Sequence, residues 1–362
     1  MKNINLNFVV KILSLAVVLA TSFFVFFVFY LEIFASQQFF DFGKEAVIPQ
    51  NEINKKPIRM LFFGDMMLDR HVGERIAQAG IDYIFEKLDK EKFFSGYNLI
   101  GCNLEGAVTD NGAHYNPVMS YDFAFAPKLI NELKNYNFNF FNLANNHFAD
   151  QGERGIIETR ENLDELGFNY VGCPDGIAND CSVKTIELSG KRIGVVGFSM
   201  VYSELNDIEI RDIIENLAGQ TDVVIVNIHW GVEYEHQFNK IQQKIARTII
   251  DAGADIIIGH HPHVVQGIEV YKGKLIFYSL GNFIFDQYFS RDTQEGLAVG
   301  INLDDDGQKF FFYPLKSKLS AVELMDDNEK KIFFNQLISW SEIDEENKEK
   351  IIKGALSAQS YE

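Results

Sequence analysis

Basic residues are scarce in this chain: 33 Lys and Arg stand against 51 Asp and Glu, a formal net charge of −18. No dense basic stripe is present to release phosphate counterions, which argues against nucleic acid as a partner. The imbalance fits an acidic, solvated surface better than it argues for a cationic ligand. Cysteine is sparse too, and three residues do not make a disulfide framework. Cys102 sits in an apolar run and reads as a buried small hydrophobe, whereas Cys173 and Cys181 flank a polar, turn-rich stretch and could pair in an oxidising compartment. No period of self-similarity appears, so a repeat architecture is excluded. What the chain does have is length and apolar content. Its 362 residues leave room for one large or two ordinary domains, and 47% hydrophobic composition supplies a sizeable core.

The N-terminal stretch differs from the rest. Residues 12–31 carry no charge, and a span of about 20 residues matches the hydrocarbon core of a bilayer. Lys2 and Lys11 precede it, and Glu32, Asp41 and Glu45 follow. The positive-inside rule therefore predicts a cytoplasmic N-terminus, with the bulk of the chain outside the cytoplasm and a single pass through the cell membrane. A cleaved signal peptide is the competing reading. Its apolar region normally runs about 7–15 residues, and no small-x-small pattern leads to Ala35, so an uncleaved anchor is favoured. The resulting plan is a cytoplasmic tip and anchor at 1–35, a polar linker at 36–57, a main domain at 58–320 and a charged, helical C-terminal tail at 321–362.

From Ile58 onward the pattern is α/β. Short apolar runs at 58–63, 99–103, 138–143, 193–198, 223–228 and 255–258 read as strands. Helical periodicity fills the gaps at 72–78, 127–135, 155–166, 209–217 and 241–251. Alternation of this kind predicts a layered α/β domain. After Gly259 the runs 268–271, 275–280, 297–303 and 309–315 follow one another with short turns, which predicts a second, antiparallel-rich sheet.

Polar residues recur where the apolar runs stop. Gly64-Asp65 with Asp69 and Arg70 follows the first run, Asn103-Leu104-Glu105 the second, and Asn145-Asn146-His147 the third. His229 follows 223–228, and His260-His261-Pro262-His263 follows 255–258. Singly, most of these are as well explained as turn or cap residues, and His229 as a satisfied core histidine. Three imidazoles within four positions are harder to explain as packing. Carboxylate, carboxamide and imidazole groups delivered at five strand ends are the ligand set of Zn, Mn, Fe or a similar divalent ion. His71, His114 and His236 lack this context and read as surface or supporting residues.

Taken in order, these segments resemble the CapA family of capsule and poly-γ-glutamate biosynthesis proteins. The runs are Gly64 to Arg70, Asn103 to Gly106, Asn142 to His147, His229 to Tyr234, Gly259 to Val264 and Ser279 to Phe283. That family is similar to the calcineurin-like metallophosphoesterases, so the resemblance implies a four-layer α-β-β-α sandwich with one or two divalent ions at the loop ends of two sheets. It implies Asp65, Glu105, Asn146, His229, His261 and His263 as ligands, with His260 an extra candidate, and His147 as the group that assists the leaving oxygen. One position departs from the parent pattern: Met67 stands where the phosphoesterases carry a histidine, and thioether sulfur is a poor ligand for a hard ion. Asp69 or His260 substitutes for it, or the site holds a single ion, or the domain is no phosphatase at all. Two functions follow from the resemblance. One is a membrane-anchored metal-dependent hydrolase of phosphoester or γ-glutamyl bonds, with Arg70 clamping an anionic group of a polymer or envelope substrate. The other is a non-catalytic, polymer-binding subunit working with integral-membrane capsule synthesis proteins.

Overall fold

The computed structural model describes residues 57–358 apart from Asp89, Asp175, Ile177 and Ser203. The apolar span 12–31 and all but the last residue of the linker lie outside the described residues; among the latter no helix is long and apolar enough to cross a membrane.

The fold is a mixed α/β arrangement of two large sheets and a two-stranded one. Five strands end at the candidate site and are labelled in chain order: β1 (Ile58–Met66), β2 (Leu99–Leu104), β3 (Phe140–Asn142), β4 (Val223–His229) and β5 (Ile256–His260). In the first sheet β1, β2 and β3 run parallel as neighbours. In the second, β4 and β5 pair in parallel, with His229 opposite His260.

Side-chain alternation along these strands builds three apolar layers. On β1, Met60 and Phe62 enter a core shared with Ile225, Ile256 and Ile258 of the second sheet. Leu61 and Phe63 of the same strand face the opposite way, into a core with Val72 of helix Arg70–Ala79, Ile130 and Leu163. Val224, Val226 and Ile257 point to the far side of the second sheet, where Ile210 and Ile214 of helix Asp207–Ala218 and Ile245 and Ile249 of helix Lys240–Asp251 cover them. Each helix presents one apolar stripe, because its buried positions recur at helical spacing.

The strands after Gly259 do not form a sheet of their own. Ile268–Tyr271 and Lys274–Phe277 extend the second sheet beside β5. Glu295–Asp304 and Gly307–Lys318 pair antiparallel with one another and attach to the free side of β1. Leu297, Val299 and Ile301 fill the layer between the sheets while Ala298 joins the outer core. A strand buried on both faces belongs inside a sheet; periodicity reveals its faces and not its neighbours. The segment from 321 also contributes more than helix. Ala321–Leu324 and Ala355–Ala358 both pair with Gly307–Lys318, and Phe333, Phe334, Leu337 and Ile351 are buried in the layer between the sheets. The sulfurs of Cys173 and Cys181 are bonded, and Cys102 is buried.

Candidate metal centre

At the end of β1 the backbone is pressed against the turn at Gly281. A Cβ at Gly64 would lie 1.8 Å from the Gly281 carbonyl oxygen, so only glycine fits, and the next amide, Asp65 N–H, donates to that oxygen at 3.0 Å. This places Asp65 between the two sheets. Its Oδ1 accepts from Asn103 Nδ2 at 2.8 Å and its Oδ2 from the His261 amide at 3.2 Å. His260 Nδ1 and His263 Nδ1 stand 3.5 Å from its two oxygens.

Asn103, at the end of β2, joins the first sheet to the second. Its amide nitrogen lies 3.1 Å from Glu105 Oε1 and 3.2 Å from His229 Nδ1. Its carbonyl oxygen accepts from Asn142 Nδ2 at 2.9 Å and Asn145 Nδ2 at 3.1 Å. Asn146 Oδ1 lies 2.7 Å from His229 Nε2. His263 Nδ1 is 3.0 Å from Asn282 Oδ1, a contact that makes Nδ1 the donor and leaves Nε2 its lone pair.

The electrostatics follow from burial. Asp65, Glu105, His229 and His260 are fully buried. Burial opposes the charge on Asp65, but His260 and His263 outweigh it and hold the carboxyl well below the usual range. Burial and then the Asp65 carboxylate push Glu105 well above its usual value. Burial lowers His229, aided by the neighbouring His261. His261 is pushed down to about 4, by burial and then by His263. His229 and His261 are thus presented neutral, the form that ligates metal.

Among the described residues, several buried polar atoms here have no hydrogen-bond partner: Glu105 Oε2, both ring nitrogens of His260, whose Nδ1 has only the 3.5 Å approach to Asp65, and His261 Nδ1. Each such atom costs about 1–3 kcal/mol, and orphans gathered among carboxylates and imidazoles fit a divalent cation. Asp65, Glu105 and His229 offer ligand atoms all within 4.8 Å of one another, and so do Glu233, His261 and His263.

A cleft of about 930 Å³ opens beside this cluster, lined among others by Arg70, Phe123, Asn146, His147, Glu233 and His263. His147 is held by Asp150, whose Oδ2 lies 2.8 Å from Nδ1, and its ring sits 4.3 Å from that of Phe123. Nε2 is thereby left for a ligand. Arg70 also reaches the cleft, but one edge of its guanidinium is engaged bidentately by Asp286, with Nε donating to Oδ2 at 3.0 Å and Nη2 to Oδ1. Asp69 is engaged elsewhere. It caps helix Arg70–Ala79, accepts from the Ala124 amide at 3.0 Å and pairs with His114 Nε2 at 3.0 Å. Of the two residues weighed as substitutes for the missing histidine, only His260 has nitrogens to spare. Met67 lies in the outer apolar core and its sulfur accepts the Asp69 amide at 3.1 Å.

Sequence reasoning gave no role to Glu233, Asp150 or Asn282, each of which adjoins a candidate ligand or His147, nor to Asn142, which donates to Asn103. For Asp150 the signal was present, three residues past His147 within a single turn of chain; Glu233, in the loop after β4, meets His261 and His263 of a different segment, which no local spacing announces.

A family model described as bacterial capsule synthesis protein PGA_cap matches residues 59–287. A capsule biosynthesis protein CapA of Bacillus anthracis is 32% identical over 282 residues, covering 73% of this chain and 68% of that protein. A PGA biosynthesis protein CapA of Bacillus subtilis (strain 168) is 35% identical over 266 residues, covering 68% of each. Among solved structures, a hypothetical protein from Thermus thermophilus overlaps with a TM-score of 0.44 at 16% identity, over 74% of this chain and 98% of that one, too loose an overlap to carry a fold assignment.

Proposed function

The chain belongs to the PGA_cap family of bacterial capsule synthesis proteins, and from that premise we propose that it is a membrane-anchored, extracytoplasmic, metal-dependent hydrolase acting on a phosphoester or γ-glutamyl bond in capsule or poly-γ-glutamate synthesis or export. The observation that carries this reading is the set of unpartnered buried ligand atoms on Glu105, His260 and His261 beside a cleft that contains the His147–Asp150 pair. Two sheets with helices packed on their outer faces support the four-layer sandwich of the metallophosphatase kind. The uncharged residues 12–31 after Lys2 and Lys11 support the anchor, the cytoplasmic N-terminus and the linker at 36–57.

Asp65, Glu105, Asn146, His229, His261 and His263 would hold the ion or ions, with His260 in reserve; Mn, Zn and Fe all suit such mixed nitrogen and oxygen donors. When bound, such an ion supplies Lewis acidity, polarising an oxygen of the reacting group and making water acidic enough to attack near neutral pH. The chain's own residues do the rest. Asp150 accepts from His147 Nδ1–H and favours the doubly protonated ring, whose Nε2–H at the cleft wall would pass its proton to the departing oxygen or nitrogen and leave His147 neutral. Phe123 packs on that ring and limits its rotation. Arg70, kept in place by Asp286, lines the cleft as a positioning group for an anionic substituent.

The second reading, a polymer-binding subunit without turnover, is favoured by Met67, which removes one expected ligand and lies in the apolar core. One experiment separates the two. The full-length chain in detergent is loaded with Mn²⁺ or Zn²⁺ and incubated with poly-γ-glutamate and with phosphoesters, and released glutamate and phosphate are measured. Turnover that falls about 10²–10⁴-fold in His147→Ala, with metal content unchanged, supports the hydrolase. Polymer bound without any bond cut supports the subunit. A chain that retains no metal refutes the metal centre itself.

A further inference from the structure

The geometry points to a second cation position, distinct from the one formed by Asp65, Glu105 and His229, whose carboxylate ligand is Glu233 acting with His261 and His263. This deepens the metal-dependent reading and rests on it. It also gives a physical answer to the ligand lost at Met67: the missing donor is replaced from a different loop.

Three observations carry the assignment. The ligand atoms of Glu233, His261 and His263 lie within 4.8 Å of one another, as those of the Asp65 group do. His261 is 7% exposed and its Nδ1 has no hydrogen-bond partner among the described residues, so a buried lone pair or N–H is left unanswered on a ring that groups with the Glu233 carboxylate. The backbone, finally, is bent to bring these three side chains together. His261 has φ +99° and His263 φ +58°. Left-handed backbone costs a non-glycine residue on the order of 1–3 kcal/mol and persists where the surrounding structure enforces it.

The Glu233 loop is built to match. Gly231 at φ +96° and Tyr234 at φ +67° bracket it, and a Cβ on Gly231 would meet the buried Gln242 amide at 2.7 Å. Tyr234 N–H then donates to the Pro262 carbonyl at 2.8 Å. That bond ties the carboxylate's loop to the residue between the two histidines. Asn282 takes His263 Nδ1 at 3.0 Å, which turns Nε2 outward as the ligating atom.

The two positions differ in access. Asp65, Glu105 and His229 are buried, whereas Glu233 is exposed and lines the cleft with His263. The Glu233 position therefore exchanges its ion with solvent and meets the substrate first, and the Asp65 position holds its ion more tightly. The ring centroids of His229 and His261 are 4.7 Å apart, so the two positions adjoin.

The test is metal stoichiometry, independent of any activity. The full-length chain in detergent is stripped with a chelator, dialysed to equilibrium against Mn²⁺, and analysed for ions bound per chain. Wild type is expected to bind two and Glu233→Gln one, while Glu235→Gln, a neighbouring exposed carboxylate, still binds two. Glu233 is on the surface, so its substitution leaves folding intact. Two ions retained by Glu233→Gln overturn the inference. One ion in both wild type and Glu233→Gln also overturns it, while leaving the hydrolase reading standing. No ion in wild type refutes the metal centre, and this inference with it.

Discussion

Substituting Gly64 by alanine tests whether the approach of two backbones at the end of β1 sets the site. The new Cβ would lie 1.8 Å from the Gly281 carbonyl oxygen, 2.9 Å from the Gly281 carbonyl carbon and 3.2 Å from that of Leu280. All three atoms are backbone, so no rotamer change relieves the clash. Restoring ordinary contact at 3.4 Å takes a shift of roughly 1.5 Å between β1 and the Gly281 turn. Overpacking of this kind costs about 1–3 kcal/mol, and each kcal/mol lowers the melting temperature of a domain this size by about 2–4 °C. The shift also separates Asp65 N–H from the Gly281 oxygen and carries Asn282 away from His263. Loss of such a supporting contact weakens metal affinity about 10–100-fold. Gly167→Ala is the control. Gly167 has φ +71° and no atom within 4 Å of where a Cβ would stand, so alanine there costs about 1–2 kcal/mol of backbone strain and leaves metal binding alone. Differential scanning calorimetry and Mn²⁺ titration read both variants. A Gly64→Ala chain with wild-type Mn²⁺ affinity would show that the turn is not what positions Asp65 and His263.

Two further outcomes follow from burial. In the metal-free chain, His261 titrates at about 4 when folded against about 6.5 unfolded, so the unfolded state binds more protons between those values. Its contribution is complete above pH 6.5 and declines by about 3 kcal/mol as pH falls to 4. Denaturant unfolding in chelator should show a steeper loss over that window in wild type than in His261→Asn; equal slopes would contradict the burial argument. Glu269 is 2% exposed and accepts from Arg247 Nε at 2.8 Å and Tyr278 Oη at 2.6 Å. Glu269→Gln should cost about 1–3 kcal/mol, discounted because Arg247 is partly solvated, and an unchanged melting temperature would refute the role of this network in holding the second sheet.

The five strand ends were legible because each apolar run stops abruptly and the next residues are polar. The joint pattern of Asp65, Asn103-Glu105, Asn145 to His147, His229 and His260 to His263 outweighs what any one segment implies. The proximity of the cysteines was legible for a similar local reason, since a polar turn separates them. What escaped were features decided by distant chain. Arg70 looks like a free clamp in sequence, yet Asp286, 216 residues away, occupies its guanidinium. Asp69 and His260 were indistinguishable as substitutes for the missing histidine until the helix cap and the His114 pair showed where Asp69 is used. The antiparallel strands gave their faces but not their partners, because β1 offers an edge that only the assembled sheet reveals.

The charge pattern of the cleft links binding to the metal. Among its described lining residues Arg70 is the single arginine or lysine, and Asp286 already neutralises it. Asp150 and Glu233 add carboxylates to the same wall, on a chain of net charge −18. An anionic polymer brought to such a surface meets repulsion, at about 1 kcal/mol per close pair even in bulk water and more where solvent is excluded. Cations held by Asp65, Glu105 and Glu233, as proposed, would reverse that sign locally. On the proposed reading, attraction for an anionic group would then be strongest where His147 can reach it, and a metal-free chain would be left with Arg70, already paired with Asp286, as the one cationic group among the described residues lining the cleft. The same carboxylates that look wrong for a polyanion site therefore make recognition conditional on the ions that would do the chemistry.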